Sequence, residues 1–257
     1  MIHASLGPRA AMHEHSPQDA AGTPVLRDPL PGVERLYTAA GTGALDRCAI
    51  EDHGIPGIVL MRRAGGAALD EIGRRWPDAG SLTIVCGKGN NAGDGYVVAG
   101  LARDRRLDVQ LLQVTDPSGL AGDAARARDW AVERGVAIER FAPGAQLRGE
   151  VVVDALLGTG LKGEVRGEFV DAVDALRATD RPVFAVDVPS GLSADSGAVL
   201  GRAVRADATL TFIGAKRGLL TGAGPDHVGA LRFDDLGVPP AVHEAAGLGP
   251  VTELLRL

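Results

Sequence analysis

The sequence lacks several features that mark common classes of protein. Its 257 residues include only two cysteines, no basic run longer than three residues, and no apolar run near the roughly 18 residues of a membrane-spanning helix. A disulfide-stapled scaffold and a membrane protein are therefore excluded, and 33 acidic against 27 basic residues exclude a nucleic-acid partner. The N-terminus has no basic-then-apolar secretory signal, so we expect a cytoplasmic protein in which Cys48 and Cys86 are buried, free thiols.

The composition divides the chain into a leader, one domain and a short tail. Residues 1–33 carry five of the fifteen prolines without sustained periodicity, which predicts a disordered leader and allows Met12 as the true start. We assign His13-Glu14-His15 to this leader rather than to a metal site. Residues 34–245 are predicted to form the folded domain, and residues 246–257 a C-terminal tail.

Hydrophobic periodicity predicts two helices followed by alternating strands and helices. The first two helices span residues 36–53, with Thr38 as N-cap, and residues 58–75. The predicted strands span residues 82–86, 109–114, 151–156, 183–188, 208–213 and 231–233, and the helices among them span 95–105, 122–134 and 168–177. Because the strands are apolar on both faces and alternate with helices, we predict an α/β fold with a parallel sheet covered on both sides.

The glycine-rich turn after the first of these strands raises the question of a ligand. It reads "VCGKGNNAGDG", and its glycines fit the GxGxxG/A pattern of loops that present a helix N-terminus to a dinucleotide. Asp94 is expected in the first turn of the following helix, where its carboxylate would repel a pyrophosphate. A purely structural alternative is that Asn90, Asn91 and Asp94 cap the helix and fix the turn.

Two further loops follow strands and carry polar side chains. They read "DALLGTGLKGE", from Asp154 to Glu164, and "DVPSG", from Asp187 to Gly191. Positions 154 and 187 differ by 33 residues, the length of one βαβ unit, so both loops should face one pocket at the sheet edge. Carboxylate, amide and hydroxyl oxygens favour a group I or II cation, and the glycine-rich turn with Lys162 suits phosphate. Alternatively, each aspartate caps a helix or braces a loop, and Lys162 is a solvated lysine.

These motifs, in this order, resemble the NAD(P)H-hydrate epimerase family, which also forms the N-terminal half of bifunctional nicotinamide-repair enzymes. The resemblance covers about residues 36–239 and includes "CGKGNNAGDGYVVA", "VVDALLGTGLKGEVRG" and "FAVDVPSGLSADSGAV". It implies a three-layer αβα sandwich with a Rossmann-like, mostly parallel sheet, and a potassium ion held by Asn91, Asp154 and Ser190. The substrate contacts that it implies are Asn90, Asn91, Ala92, Gly93, Asp94, Gly158, Thr159, Gly160, Leu161, Lys162, Gly163, Glu164 and Asp187.

The resemblance implies an isomerase that interconverts the R and S forms of NADH or NADPH hydrated at C6. The stereocentre can be lost by expelling water or by opening the ring, and our hypothesis makes Asp187 the catalytic acid/base in either route. A homodimer is the assembly that we expect this chain to form. Because the sequence ends where the dehydratase half of bifunctional members would begin, we also expect coupling to a separate ADP- or ATP-dependent dehydratase.

Two other functions fit parts of the pattern. In an NAD(P)-dependent oxidoreductase, Asp116 at the end of the second strand of the alternating region would bind the ribose hydroxyls. A non-catalytic protein of the same fold would use the pocket, or the surface of the N-terminal helices, to bind a nucleotide or a partner protein.

Overall fold

The computed structural model describes residues 35–245 and the backbone of Thr252–Glu253. The predicted leader, including the histidines at positions 13 and 15, lies outside the described residues, as does the rest of the predicted tail. None of the helices in the described part is both long and apolar enough to cross a membrane. Cys48 and Cys86 are buried and free, as predicted.

Seven parallel strands form the central sheet: β2 (Ser81–Cys86), β3 (Asp108–Gln113), β4 (Ile138–Arg140), β5 (Val151–Ala155), β6 (Val183–Val186), β7 (Ala208–Phe212) and β9 (Ala230–Asp234). Their order across the sheet is β4-β3-β2-β5-β6-β7-β9. Every predicted strand is confirmed, and no strand end differs from its prediction by more than two residues. The sequence analysis missed β4, a three-residue edge strand whose side chains are half-buried or exposed and so give little hydrophobic signal.

Helices cover both faces of this sheet, which confirms the three-layer prediction. They are α1 (Ala39–Glu51), α2 (Gly57–Arg75), α3 (Asn90–Asp104), α4 (Gly122–Glu133), α5 (Glu168–Ala178) and the short α6 (Pro240–Glu244). Successive strand residues point to opposite faces. Ile84 accordingly joins the core beneath α2, α3 and α4, whereas Val85 joins a second core with Leu176 of α5.

The first predicted helix begins three residues later than expected, because its first residues form a strand. Strand β1 (Arg35–Tyr37) pairs in parallel with β8 (Ala215–Lys216) and antiparallel with β10 (Thr252–Glu253), forming a small second sheet. The prediction that Thr38 is the N-cap is confirmed: its backbone is extended and its Oγ1 accepts a hydrogen bond from Gly41 N at 3.0 Å. A residue in that conformation ends the strand and starts the helix, so residues 36–37 cannot be helical.

Helix α3 begins at Asn90, five residues before the predicted start at position 95. The sequence "NNAGDG" has the composition of a turn, but tertiary packing makes it helical. A Cβ added to Gly95 would lie 2.6 Å from Ala155 Cβ, so glycine allows the helix to lie close against β5. Asp94 therefore lies one turn inside the helix rather than in its first turn, which corrects the sequence prediction.

Candidate active site

The three polar loops meet at the point where the strand order of the sheet reverses. Strands β2, β5 and β6 are adjacent and parallel, so the loops that follow them emerge at one edge. From β2 the chain builds the sheet outward through β3 and β4, and then returns to place β5 on the other side of β2. Such a switch point leaves a crevice outside the carboxyl ends of the strands, where α/β proteins bind ligands.

Asp187 lies at this edge in a constrained conformation. It follows β6 directly and has a positive φ of 66°, a conformation that costs a non-glycine residue energy and persists only where the surroundings fix it. Its Oδ1 accepts hydrogen bonds from Thr211 Oγ1 at 3.0 Å and Phe212 N at 3.3 Å, and it forms an ion pair with Lys216 Nζ. The Lys216 side chain is 3% exposed and that of Asp187 is 17% exposed, so the pair is largely shielded from water.

Asp187 and Lys216 line a cavity of about 200 Å³ that also contains Asp46 and Asp94. We call it the acidic cavity. Burial, followed by the nearby charges of Asp187 and Asp46, holds the pKa of Asp94 well above its ordinary value. Burial also raises the pKa of Asp46, against the opposing effect of Lys216. Asp46, Asp94 and Asp187 share the single ammonium group of Lys216, so at least one of these three carboxyl groups is easier to keep protonated than an isolated carboxyl group.

The sequence analysis missed Asp46 and Lys216. Asp46 lies on α1 between Thr42 and Ile50, and the spacing of four residues puts all three on the face that lines the acidic cavity. That periodicity could have identified Asp46. Lys216 lies in the short apolar stretch "TFIGAK", where a lysine needs a buried partner, but the sequence did not show which acid that partner was.

A larger cavity of about 600 Å³, which we call the loop cavity, lies on the other side of the α3 N-terminus. Six of the seven residues predicted between 158 and 164 line it: Gly158, Thr159, Gly160, Leu161, Lys162 and Glu164. Gly163 instead provides a turn with φ of 72°. Asn90, Asn91 and Thr159 line both cavities, so one elongated molecule can contact both.

The N-terminus of α3 lies at the junction of the two cavities. Its N-cap is Gly89, and no side chain caps it, so the structure contradicts the alternative in which Asn90, Asn91 and Asp94 serve as caps. Both Asn91 Oδ1 and Asn91 Nδ2 are buried and have no hydrogen-bond partner among the described residues. Ala92 and Gly93 are buried in helix packing and line neither cavity.

Asp154 and Ser190 form a fully buried pair beneath this junction. Ser190 donates from Oγ to Asp154 Oδ1 at 2.5 Å and from its backbone N to Oδ2 at 2.8 Å, while Leu156 N donates to Oδ1 at 3.2 Å. Burial raises the pKa of Asp154 to about 6, against the opposing effect of these hydrogen bonds. Asp154 thus braces the loop after β5, as the structural alternative proposed, and it lines neither cavity.

Asn91 and Ser190 both approach the loop after β5. Ser190 Oγ accepts a hydrogen bond from Leu157 N at 2.9 Å, and a Cβ added to the next residue, Gly158, would lie 3.3 Å from Asn91 Cβ. The three predicted potassium ligands therefore border one short segment. An unpartnered amide oxygen, a carboxylate and a hydroxyl group are the hard donors that such a cation requires.

Asp116, the ribose-binding candidate of an oxidoreductase, has a local structural role. Its Oδ1 accepts a hydrogen bond from Ser118 N at 2.8 Å and caps the short 3₁₀ helix Pro117–Gly119. This contact lowers the pKa of the exposed Asp116 carboxyl group. Asp116 lines neither cavity, so the described site does not favour the oxidoreductase.

Comparison with known proteins supports this description. A family model described as "YjeF-related protein N-terminus" matches residues 57–218. A protein named bifunctional NAD(P)H-hydrate repair enzyme Nnr, from Coxiella burnetii, is 42% identical over 210 residues, which cover 82% of this chain and 43% of the relative. A protein named NAD(P)H-hydrate epimerase, from Levilactobacillus brevis, is 35% identical over 206 residues, which cover 80% of this chain and 95% of the relative.

The structural comparison agrees at the level of the fold. The crystal structure of yeast ynu0 superimposes with a TM-score of 0.70 at 18% identity, covering 85% of this chain and 96% of the yeast chain. The chain spans less than half the length of the bifunctional relatives. Since the family model matches more than half of the chain, and the resemblance found in the motifs is confirmed by these relatives, this chain belongs to the YjeF-related protein N-terminus family.

Proposed function

We propose that this chain is an NAD(P)H-hydrate epimerase, which interconverts the R and S forms of C6-hydrated NADH and NADPH. The observation that carries the proposal is the acidic cavity, where the Asp187 carboxylate is fixed by Lys216 beside a second carboxyl group, Asp94. The names of the relatives support the same reaction. The cavity offers the proton donor and the proton acceptor that inversion at a carbon bearing a hydroxyl group requires.

We assign different roles to the two carboxyl groups. Asp187 accepts three hydrogen bonds on Oδ1, which suit its charged form and leave Oδ2 for a proton, so it is the base. Asp94, whose pKa is raised by burial and by neighbouring carboxylates, is the acid. This division refines the sequence hypothesis, in which Asp187 served as both acid and base.

Either route to epimerisation uses one acid and one base. In the elimination route, Asp94 protonates the C6 hydroxyl, the C6–O bond breaks as water leaves, and the N1 lone pair forms the C6=N1 bond. Water then adds to the opposite face of C6, and Asp187 accepts its proton. In the ring-opening route, Asp187 takes the hydroxyl proton, the C6–N1 bond breaks to leave C6=O, and Asp94 protonates N1. After rotation about the C5–C6 bond, N1 adds to the opposite face of C6 as Asp94 takes back the N1 proton, and Asp187 returns its proton to the oxygen.

The role of Asp94 predicts a pH dependence. An acid acts in its protonated form, so we expect kcat/KM to fall as pH rises through the elevated pKa of Asp94. In Asp94→Asn, kcat should fall about a hundredfold and the alkaline decrease in kcat/KM should disappear. Asp123→Asn is the control, because Asp123 lines the same cavity but pairs with Arg126. If kcat/KM of Asp94→Asn still falls at high pH, a group other than Asp94 is responsible for the decrease.

We propose that Asn91, Asp154 and Ser190 hold a potassium ion, because the buried Asn91 amide has no partner among the described residues and the donors are hard oxygens. The cation would supply positive charge that orders the loops after β2 and β5. Asn91 and Ser190 would then keep those loops in position around the substrate.

The potassium proposal predicts a specific response to ions. Replacing potassium by lithium should lower kcat/KM about tenfold through misorientation of the substrate, whereas a chelator of divalent cations should have no effect. Potassium should also raise the melting temperature of the wild-type protein, but not that of Asn91→Ala. An equal rate and an equal melting temperature in potassium-free buffer would refute the site.

A coupled assay tests the proposed reaction. The R hydrate is mixed with a separate S-specific dehydratase, and its loss is followed with and without this chain. We expect faster consumption of the R form when the chain is present. An equal rate would favour the non-catalytic alternative, while oxidation or reduction of intact nicotinamide would favour the oxidoreductase.

We place this activity in the cytoplasm, where a reducing environment suits the free thiols of Cys48 and Cys86. There the epimerase would feed an ADP- or ATP-dependent dehydratase, which is consistent with the names of the bifunctional relatives. A homodimer stays a prediction, to be tested by the mass of the protein in solution.

A further inference from the structure

The two cavities differ in charge, a difference that would orient the proposed substrate. Asp46, Asp123 and Asp187 line the acidic cavity against a single lining cation, Lys216, so even with Asp94 protonated the excess of carboxylates would repel a phosphate group placed there. The uncharged hydrated ring is the part of the proposed substrate that fits. The uncapped N-terminus of α3 at the junction offers N–H groups to the diphosphate. The adenosine half then extends into the loop cavity.

The loop cavity carries more positive charge than is required to bind an adenosine group that has no additional phosphate. Lys88, Lys162 and Arg166 line it together with a single acid, Glu164, although the chain as a whole has a net charge of −6. Within residues 35–245, none of the three cations lies within ion-pair distance of a carboxylate. A nearby acid, Glu168, is already paired with Arg140 at 2.6 Å.

The remaining wall of the loop cavity suits a nucleobase. Leu157, Leu161 and Phe169 line it and are partly buried against the core beneath α5. An aromatic ring and two leucines form a surface on which adenine can stack. Arg166 precedes Gly167, the N-cap of α5, and Phe169 is the second residue of that helix, so one short segment contributes both a cation and an aromatic residue to the lining of the cavity.

We propose that Arg166 and Lys162 bind the 2′-phosphate of the adenosine ribose, so that this chain prefers hydrated NADPH to hydrated NADH. The inference rests on the proposed function and narrows its substrate. A planar guanidinium matches a phosphate with two parallel hydrogen bonds, and Lys162 adds a point charge. Hydrated NADH lacks this phosphate, so its binding leaves the cations solvated and gains nothing from them.

Nucleotide binding tests the inference without depending on catalysis. Adenosine 2′,5′-bisphosphate and adenosine 5′-monophosphate are titrated into the full chain and followed by calorimetry. We expect the bisphosphate to bind about tenfold or more tightly, and Arg166→Ser/Lys162→Ser to remove that difference. The control, Arg177→Ser, loses one charge near the other end of α5, outside the loop cavity, and should retain the difference.

Kinetics with both hydrates separate this inference from the proposed function. The ratio of kcat/KM for hydrated NADPH to that for hydrated NADH should exceed one, and the double variant should bring it close to one. If the double variant weakens both hydrates equally, the cations hold the diphosphate and the inference is overturned while the epimerase stands. If the wild-type chain turns over neither hydrate but still prefers the bisphosphate, the 2′-phosphate site stands and the proposed function fails.

Discussion

Asp187→Asn is expected to lose about a thousandfold in kcat for epimerisation, because the amide cannot accept the proton that inversion at C6 releases. The substitution preserves the size of the side chain and leaves an oxygen to accept from Thr211 and Lys216. Substrate binding should therefore survive. The measurement is the rate of R-hydrate consumption with an excess of S-specific dehydratase, with kcat and KM determined separately.

Asp116→Asn is the matched control for Asp187→Asn. Asp116 also follows a strand of the central sheet, but it caps a local turn and lines neither cavity, so its variant should keep the wild-type rate. Normal turnover by Asp187→Asn would refute its role as base. A large loss of activity in Asp116→Asn would instead support the alternative in which this chain is an oxidoreductase and Asp116 binds the ribose hydroxyls.

Lys216→Met is expected to lose most activity and about 3 kcal/mol of folding stability, because it leaves a largely buried carboxylate without its counter-charge. Methionine retains the length and packing of the lysine stem, so loss of volume does not explain the effect. Urea unfolding followed by circular dichroism gives the stability, and the coupled assay gives kcat.

A double-mutant cycle distinguishes ion pairing from simple loss of a buried residue. The variant Asp187→Asn/Lys216→Met has no unpaired charge, so it should be more stable than Lys216→Met alone. Coupling of at least about 1 kcal/mol would support the pair. Strictly additive effects on stability would mean that the two groups do not interact in solution, and the assigned position of the base would then be wrong.

Residues with a strong local signal were predicted correctly from the sequence. The buried strands read as short apolar runs, and helix α2 was predicted to within one residue at its start. Thr38 was identified as an N-cap because a hydroxyl group next to a helical pattern has a specific local role. Errors occurred where tertiary contacts outweigh propensity, as in the early start of α3 and in strand β1.

In the candidate site, too, local features were predicted from the sequence, whereas contacts between distant residues were not. Parallel topology alone implied that the loops after β2, β5 and β6 meet, since parallel strands end at one edge. The sequence could not show that Asp154 braces a loop while Asp187 lines a cavity. Asp154 lies near the end of an apolar strand and Asp187 directly follows one, so their local sequences look alike. Their surroundings differ because their neighbours, such as Ser190 and Thr211, are distant in sequence.

The sequence by itself determined the layered fold, the family and the loops that carry the chemistry, because periodicity and motif spacing are local properties of the chain. The tertiary structure decided which charges face one another. Lys216 reaches Asp187 across 29 residues, and Asp46 lines the same cavity from α1. Helix α1 can pack there because Gly214 has no side chain, since an added Cβ would lie 2.6 Å from Thr42 Cγ2. Interactions of this kind depend on through-space distance, which the order of residues does not specify.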